Sequence, residues 1–149
     1  MGMNIGGSVA RFMRQKMAGF HGLLDAWAGN LEQYAKQNAP WNDQTGHARQ
    51  AIHSGVDLES DGFHLYLAHG KDYGPMLEEG TGIFGPSRQP IKPVNARVLV
   101  IPGIPNPKDP SKPLMVRQIK GMKAKPIIKP TLESHKNRLK QTIQDYWEG

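Results

Sequence analysis

Two runs of alternating apolar and polar residues, joined by an Asp-Gly pair, constrain the fold of this chain more than any other feature. The runs are His53–Asp57 and Phe63–Ala68, and Asp61-Gly62 lies between them. Asp-Gly in this setting is typical of a β-hairpin, because a type I′ turn needs positive φ at both central residues. One face of the second run is apolar and must be covered by another element. That face consists of Phe63, Leu65 and Leu67.

A long amphipathic helix over residues 8–38 is the predicted cover of that face. Its apolar residues recur at steps of three and four, the period of one helical face. They are Val9, Phe12, Met13, Met17, Phe20, Leu23, Leu24, Trp27, Leu31, Tyr34 and Ala35. Gly19 and Gly22 are unfavourable inside a helix, so we expect a bend or break there. Pro40 ends the helix, and the glycine-rich residues 1–7 are expected to be flexible.

The hairpin core, residues 39–82, has a loop at its start. Trp41 in this loop has two interpretations, a plug over the core or a contact with a partner. Thr45 is predicted to cap a short helical turn over residues 46–51. Arg49 in that turn is expected to face solvent or an acidic neighbour.

A glycine-dense segment follows the hairpin. Tyr73–Glu79 is long enough for barely two helical turns, with Pro75 in the first turn and Gly80 as the C′ residue. The glycines between residues 74 and 85 mark places where the backbone turns sharply or approaches another chain closely. Glu79 is expected to cap backbone N–H groups or to pair with Arg49 or Arg97.

Residues 83–125 resemble an insertion that forms a loop or an arm. Val98–Ile101 is predicted to be a short buried strand that pairs with Leu114–Ile119. Five prolines between residues 102 and 113 exclude helix and central strand there. The predicted result is a second hairpin with an extended tip that docks on a neighbouring subunit. The alternative is a disordered loop.

A concentration of positive charge lies in the same region. The chain has a net charge of +6, and residues 108–129 hold seven basic residues against the single acid Asp109. They are Lys108, Lys112, Arg117, Lys120, Lys123, Lys125 and Lys129. Two interpretations are open: solubility, or a surface that meets nucleic acid or an acidic partner.

Residues 126–149 are predicted to form the last helix, with Pro130 in its first turn. Its apolar face consists of Leu132, His135, Leu139, Ile143, Tyr146 and Trp147. The 149 residues therefore predict a single α+β domain. In it, an N-terminal and a C-terminal helix pack on a small, mostly antiparallel sheet. No apolar run approaches the roughly 20 residues of a membrane span. The chain has no cysteine, which excludes disulfides and cysteine metal sites.

No catalytic or metal-binding pattern is evident in the sequence, and we expect no cofactor. The six histidines lack the spacing of metal-ligand pairs, and His64 and His69 are predicted to point to opposite faces of a strand. Glu78 and Glu79 are adjacent and do not share a helical face. A metal-dependent nuclease would need carboxylates to converge. The candidates for that are Asp57, Asp61 and Asp72, with Lys71 nearby.

An ordered set of motifs resembles the tail-completion, or head–tail joining, family of long-tailed bacteriophages. The motifs are Ala39-Pro40, Thr45-Gly46, the hairpin, the stretch Tyr73-Gly74-Pro75-Met76-Leu77-Glu78-Glu79-Gly80-Thr81-Gly82, and Lys125-Pro126-Ile127-Ile128-Lys129-Pro130-Thr131-Leu132. The match runs from about Tyr34 to about Leu139. Family members have Leu-Arg after Thr-Gly, where this chain has His47-Ala48-Arg49. Ile127-Ile128 and Thr131 stand where the family has Phe and Ala.

The resemblance implies a structural subunit of the virion neck, assembled in the host cytoplasm and forming a ring of six copies around the DNA channel. The implied partners are other copies of the chain, a tail terminator or tail tube protein, and a head connector or stopper protein. No enzymatic activity and no membrane are implied. The predicted subunit contacts are Trp41, Glu79, Thr81, Phe84, Leu114 and Met115. The residues predicted to face channel DNA or an acidic partner are Arg117, Lys120, Lys123 and Lys125. The alternative function is a small basic nucleic-acid-binding module or nuclease.

Overall fold

The computed structural model describes residues 5–43 and 46–149. The elements follow the chain as α1 (Ile5–Asn38), α2 (His47–Gln50), β1 (His53–Glu59), β2 (Gly62–Ala68), α3 (Gly74–Glu79), a 3₁₀ turn (Gly82–Phe84), β3 (Leu99–Asn106), β4 (Asp109–Val116) and α4 (Ile128–Glu148). The predicted α+β class is confirmed, with two two-stranded antiparallel sheets in place of one. No helix in the described part of the chain has the length and apolar character needed to cross a membrane.

The described residues form two compact units, where the sequence predicts one domain. The first unit comprises the chain up to Lys71 together with Ile127–Gly149, and the second comprises Asp72–Pro126. The first therefore contains α1, α2, the β1–β2 hairpin and α4. The second contains α3, the 3₁₀ turn and the β3–β4 hairpin.

In the first unit, α1 covers the apolar face of the β1–β2 hairpin, as predicted. Leu67 is buried and Leu65 is half-buried, while His64 and Tyr66 on the other face are exposed. Phe63 meets Phe20 of α1 edge to face at 5.5 Å. The buried residues of α1 recur at helical spacing, and they are Leu24, Ala28, Leu31 and Ala35. Packing of this face, rather than intrinsic helix propensity, stabilises such an element.

Of the bend or break predicted near Gly19 and Gly22, the break is wrong, because α1 is continuous over both residues. Gly19 instead gives room to Tyr146 of α4: a Cβ atom there would lie 2.4 Å from the tyrosine hydroxyl oxygen. The Tyr146 hydroxyl donates to the Lys16 carbonyl at 2.7 Å. The Lys16 ammonium donates to the Tyr146 carbonyl at 2.7 Å. This reciprocal pair fixes α4 against α1.

Arg49 closes the C-terminal end of α1. Its guanidinium donates to the carbonyls of Lys36, Ala39 and Trp41, and its Nε pairs with the Asp43 carboxylate. The last carbonyls of a helix lack partners within the helix, and a cation suits the negative end of its dipole. The acidic neighbour expected for Arg49 is therefore Asp43. The short turn that carries Arg49 is present as α2, while its predicted cap, Thr45, lies outside the described residues.

The β1–β2 hairpin is confirmed, but the predicted turn is wrong by one residue. Glu59 pairs with Gly62, so the two turn residues are Ser60 and Asp61. Neither has positive φ, and the positive value of 138° falls on Gly62. The positive φ therefore occurs just after the turn, at Gly62, which is the first residue of β2.

The β3–β4 hairpin of the second unit pairs as predicted, with Leu99 opposite Val116 and Ile101 opposite Leu114. The register shifts between Ile101 and Asn106, where prolines replace backbone donors. Strand β3 is not the buried strand that we predicted, since none of the residues in β3 or β4 is buried. The region is an ordered, exposed hairpin, which we call the arm. The short helix α3 is also confirmed, with Pro75 in its first turn and Gly80 at its end.

Candidate functional site

The glycine-dense segment is hydrogen-bonded at several points to residues 117–125 of the same unit, which we call the basic segment, and the two run in opposite directions. The Thr81 N–H donates to the Met122 carbonyl at 2.9 Å, and the Ile83 N–H donates to the Lys120 carbonyl at 2.8 Å. Further along, Ile91 and Ile119 exchange both backbone hydrogen bonds. We call the paired segments 77–91 and 119–125 the glycine cradle. Its pairing resembles an antiparallel ladder with gaps.

Four glycines of the cradle, at positions 80, 82, 85 and 121, leave no space for a side chain, and two of them make the closest approaches. A Cβ atom on Gly82 would lie 2.0 Å from the Lys120 carbonyl oxygen, and one on Gly121 would lie 2.2 Å from the Thr81 carbonyl oxygen. Gly82 also has a φ of 62°, which costs a residue with a side chain about 1–2 kcal/mol. For Gly82, the sequence predicts a sharp turn of the backbone or a close approach to another chain. The approach is to the chain's own basic segment.

Thr81 contributes to the cradle itself. Its hydroxyl oxygen accepts a hydrogen bond from the Met122 N–H at 2.8 Å. With the backbone bond from Thr81 to the Met122 carbonyl, the two residues are joined twice. Thr81 was predicted to contact a neighbouring subunit, and its hydroxyl is used inside the unit.

Glu79 and Phe84, two other predicted contacts, line one open cleft that is formed by the first segment of the cradle. The cleft has a volume of about 490 Å³. It is lined by Glu79, Ile83, Phe84, Gly85, Pro86 and Arg88. The Lys123 ammonium lies 5.8 Å from the centre of the Phe84 ring, at the limit of a cation–π contact. The cleft is thus lined by one carboxylate, one guanidinium and the apolar side chains of Ile83, Phe84 and Pro86, a mixture that suits a protruding side chain of another protein.

Sequence reasoning missed Arg88. It is the one non-glycine residue with positive φ in the described chain, at 53°. Its N–H donates to the Gly85 carbonyl at 3.1 Å, which closes a tight turn. A non-glycine residue in this conformation stores strain, and such strain is concentrated at functional sites. The signal available in the sequence was the turn composition of Gly85-Pro86-Ser87, which we interpreted only as a loop.

The remaining residues that were predicted to make contacts lie in three parts of the chain: the loop after α1, the arm and the basic segment. Trp41 is 7% exposed, and its ring N–H donates to the Asp43 carboxylate at 3.1 Å, as expected for a plug and with little surface left for a partner. On the arm, Leu114 is half-buried and Met115 is exposed. Arg117, Lys120 and Lys123 are exposed, while Lys125 is half-buried. The Lys125 N–H donates to the Leu77 carbonyl at 2.6 Å.

One cluster of metal-ligand types occurs in the described chain, at the tip of the β1–β2 hairpin. Ligand atoms of Glu59, Asp61 and His64 lie within 4.8 Å of one another, and all three residues are exposed. His64 Nε2 lies 2.8 Å from an Asp61 oxygen and 3.6 Å from a Glu59 oxygen. The hydrogen bond with Asp61 and the nearby carboxylates raise the pKa of His64, and the same hydrogen bond lowers the pKa of Asp61. The hydrogen bond between His64 and Asp61, with Glu59 close by, therefore accounts for the cluster.

Of the three carboxylates considered for a nuclease, Asp57 and Asp61 belong to the first unit and Asp72 to the second. The hairpin-tip cluster uses Asp61 with Glu59 and His64 instead.

Comparison of the chain with protein-family models, with curated proteins and with solved structures finds no match.

Proposed function

We propose that this chain is a structural subunit of the neck of a long-tailed bacteriophage, where it completes the tail and joins it to the head as a ring. The order of the motifs supports the proposal, because three of the motifs in the described residues coincide with features of the fold. Ala39-Pro40 follows the end of α1, Tyr73–Gly82 forms α3 and one side of the glycine cradle, and Pro130 lies in the first turn of α4.

The exposed arm is the structural observation that supports this proposal most strongly. A hairpin of two strands offers two sheet edges, and exposed edges tend to pair with another chain. The arm also exposes the apolar side chains of Val100, Ile104 and Met115. A surface of this kind is typical of a site that another protein covers. In a ring it would lie against the neighbouring subunit, with the cleft of Glu79, Phe84 and Arg88 as a second contact.

The basic segment supports the second part of the proposed role, which is contact with the DNA of the channel or with an acidic connector protein. Residues 117–125 contain no acid, and Arg117, Lys120 and Lys123 expose their side chains. In the ring these side chains would face the DNA of the channel or an acidic connector protein. Contact with passing DNA of any sequence needs cations near phosphates and no base recognition.

Electron microscopy of particles assembled without this gene tests the proposal. We expect DNA-filled heads and separate, finished tails, because only the joint would be missing. Complementation with the intact gene should restore joined virions. Complementation with a Met115→Glu variant, which places a charge on the arm, should restore fewer. Normal virions in the absence of the gene would overturn the proposal.

A second candidate function is a small nucleic-acid-binding module, which the exposed cations of the basic segment favour. If it is correct, affinity for duplex DNA falls steeply with salt, with a slope of roughly −0.9 per phosphate contact. Replacing Lys120, Lys123 and Lys125 together by Gln should then abolish binding. Sequence-independent binding that is micromolar or weaker would fit the neck role as well. Metal-dependent cleavage of DNA would show that a structural role is not the complete account.

A further inference from the structure

The N-terminal turns of α1 present an apolar face that nothing in the described part of the first unit covers. Every residue from Gly6 to Gln15 is exposed. At 3.6 residues per turn, four apolar side chains of this part fall on one stripe. Phe12 is 62% exposed and Val9 is 54% exposed. We call the stripe of Val9, Phe12, Met13 and Met17 the α1 ridge.

The area of the α1 ridge is that of an apolar patch that often has a function. Its exposed area is on the order of 400 Å², from large side chains of roughly 150–250 Å² that are about half exposed. That is the size of the largest apolar patch on a typical monomer, which is often functional. Short helical segments without a packed face are marginally stable in water. A partner that covers the ridge would therefore also stabilise these turns.

The same unit has a concave apolar surface elsewhere, between β2 and α4. This surface, the α4 groove, has a volume of about 560 Å³. Its apolar lining residues are Leu65, Leu132, Leu139 and Ile143, and its charged lining residues are Glu133, Lys136 and Lys140. Because a cavity of about 150 Å³ holds a benzene ring, the α4 groove has room for three or four large side chains. The lysines extend their methylene stems along such a wall while their charges stay in water.

We propose that the α1 ridge of one copy of this chain inserts into the α4 groove of the next copy. This inference rests on the proposed ring-forming role. A convex and a concave apolar surface on different residues of one chain generate a head-to-tail contact, and such contacts close into rings when the rotation permits. The ridge and the groove share no residue, so every copy offers both.

Charge disfavours the obvious alternative, in which two α1 ridges pair with each other. The helix carries Arg11, Arg14 and Lys16 and no acid from Gly6 to Leu24. Two such helices side by side would bring like charges together, at a cost. The α4 groove carries the carboxylate of Glu133 beside Lys136 and Lys140, so the repulsion there is smaller than between two helices that have no acid in this part.

The size of the contact predicts its strength. The ridge supplies about half of the roughly 800 Å² per partner that a stable interface buries. A single ridge-and-groove contact should therefore be weak. In a closed ring each copy makes the contact twice, and the arm adds further area. We expect a concentration-dependent mixture of monomers and oligomers in solution, and a stable ring at the neck.

Engineered cysteines test the contact directly, because the natural chain has none. Three variants are compared: Phe12→Cys, Leu132→Cys and the double variant. Each purified full-length protein is treated with a short bismaleimide and separated on a denaturing gel. We expect a ladder of covalent oligomers from the double variant only, since the thiol introduced on the ridge would meet the thiol introduced in the groove of another copy. Both positions are exposed, so neither change should unfold the chain, and circular dichroism checks this.

The matched control is the double variant Ala18→Cys with Leu132→Cys. Ala18 is exposed and lies about half a helical turn away from the ridge, so no ladder is expected. A covalent dimer from Phe12→Cys alone would show ridge-to-ridge pairing and overturn the inference. The absence of a ladder from the Phe12→Cys/Leu132→Cys variant would also overturn it.

The outcome separates this inference from the proposed function. If gene deletion leaves heads and tails unjoined while the double variant gives no ladder, the neck role stands and another surface forms the ring. If the ladder forms but virions without the gene are normal, the self-contact stands and the neck role falls. A ladder that ends at six copies supports both.

Discussion

The two units of this protein are stabilised by different interactions. The first buries large apolar side chains between α1, its following loop and the β1–β2 hairpin, among them Leu24, Leu31, Trp41, Ile52 and Leu67. Among the described residues of the second, Leu77 is the one buried hydrophobic side chain. The second unit depends on backbone hydrogen bonds and on glycines that let two segments approach closely. Because few side chains are buried in the interior of the second unit, Glu79, Phe84 and Lys123 are free to be exposed on its surface.

The largest expected effect comes from Gly82→Ala, which attacks the backbone pairing of the second unit. The new Cβ atom would overlap the Lys120 carbonyl oxygen, and Gly82 has positive φ. We expect a loss of about 4 kcal/mol, of which roughly 1 reflects φ and the remainder the overlap. Hydrogen exchange of the Thr81 and Ile83 amides measures it. Exchange at the wild-type rate would contradict the close approach.

Gly103→Ala is the matched control for this substitution. Gly103 has φ of 81°, but a Cβ atom there would meet nothing within 4 Å. We expect the loss to be limited to about 1 kcal/mol, the cost of positive φ alone. Equal losses for the two variants would mean that backbone conformation, and not the glycine cradle, determines the effect.

Leu31→Ala tests the first unit in the same way. Leu31 is 1% exposed, and removing a fully buried leucine side chain costs about 3 kcal/mol through lost transfer energy and a residual cavity. Urea unfolding followed by circular dichroism measures the change. The control is Leu58→Ala, since Leu58 is 70% exposed and should change stability by less than about 0.5 kcal/mol. Similar losses for both would refute the buried core of this unit.

The same substitution, Thr→Val, should change the free energy of unfolding differently in the two units. Thr81→Val removes the acceptor of the Met122 N–H and should destabilise the glycine cradle by about 1 kcal/mol. Thr131 is fully buried, and its hydroxyl has no hydrogen-bond partner within the described chain. Thr131→Val should therefore be neutral or stabilise by up to about 1 kcal/mol. Thermal unfolding compares the two, and destabilisation by both would contradict the difference.

The smallest effect is expected at the exposed tip of the β1–β2 hairpin. Hydrogen bonding to Asp61 raises the pKa of His64 above its ordinary value of 6.5. Protonated His64 therefore contributes stability below pH 6.5, and the contribution is lost as the pH rises through the raised pKa. An NMR titration should give a His64 pKa above 6.5 that falls in Asp61→Asn. If the pKa of His64 were the same in both proteins, Asp61 would not be the cause of the raised pKa.

The sequence predicted the helices and strands of this fold better than the contacts that these elements and the loops make. Side-chain periodicity located α1, α4 and the β1–β2 hairpin, because burial of one face leaves a pattern in the sequence. The pairing of residues 77–91 with 119–125 leaves no such pattern, since backbone groups form it whatever the side chains. The glycines marked a close approach without identifying the segment approached. The exposure of Phe12 and Met13 could not be predicted either, because an apolar helical face has the same sequence pattern whether it is buried within the chain or exposed.

Cryo-electron microscopy of mature virions would test the central claim, that this chain forms a ring at the joint of head and tail. The account predicts density for six copies around the DNA channel between the head connector and the tail tube. The arm of each copy should lie against its neighbour, and the basic residues Arg117, Lys120 and Lys123 should face the channel or the connector. Absence of the chain from finished virions, or its presence as isolated copies away from the neck, would contradict the claim.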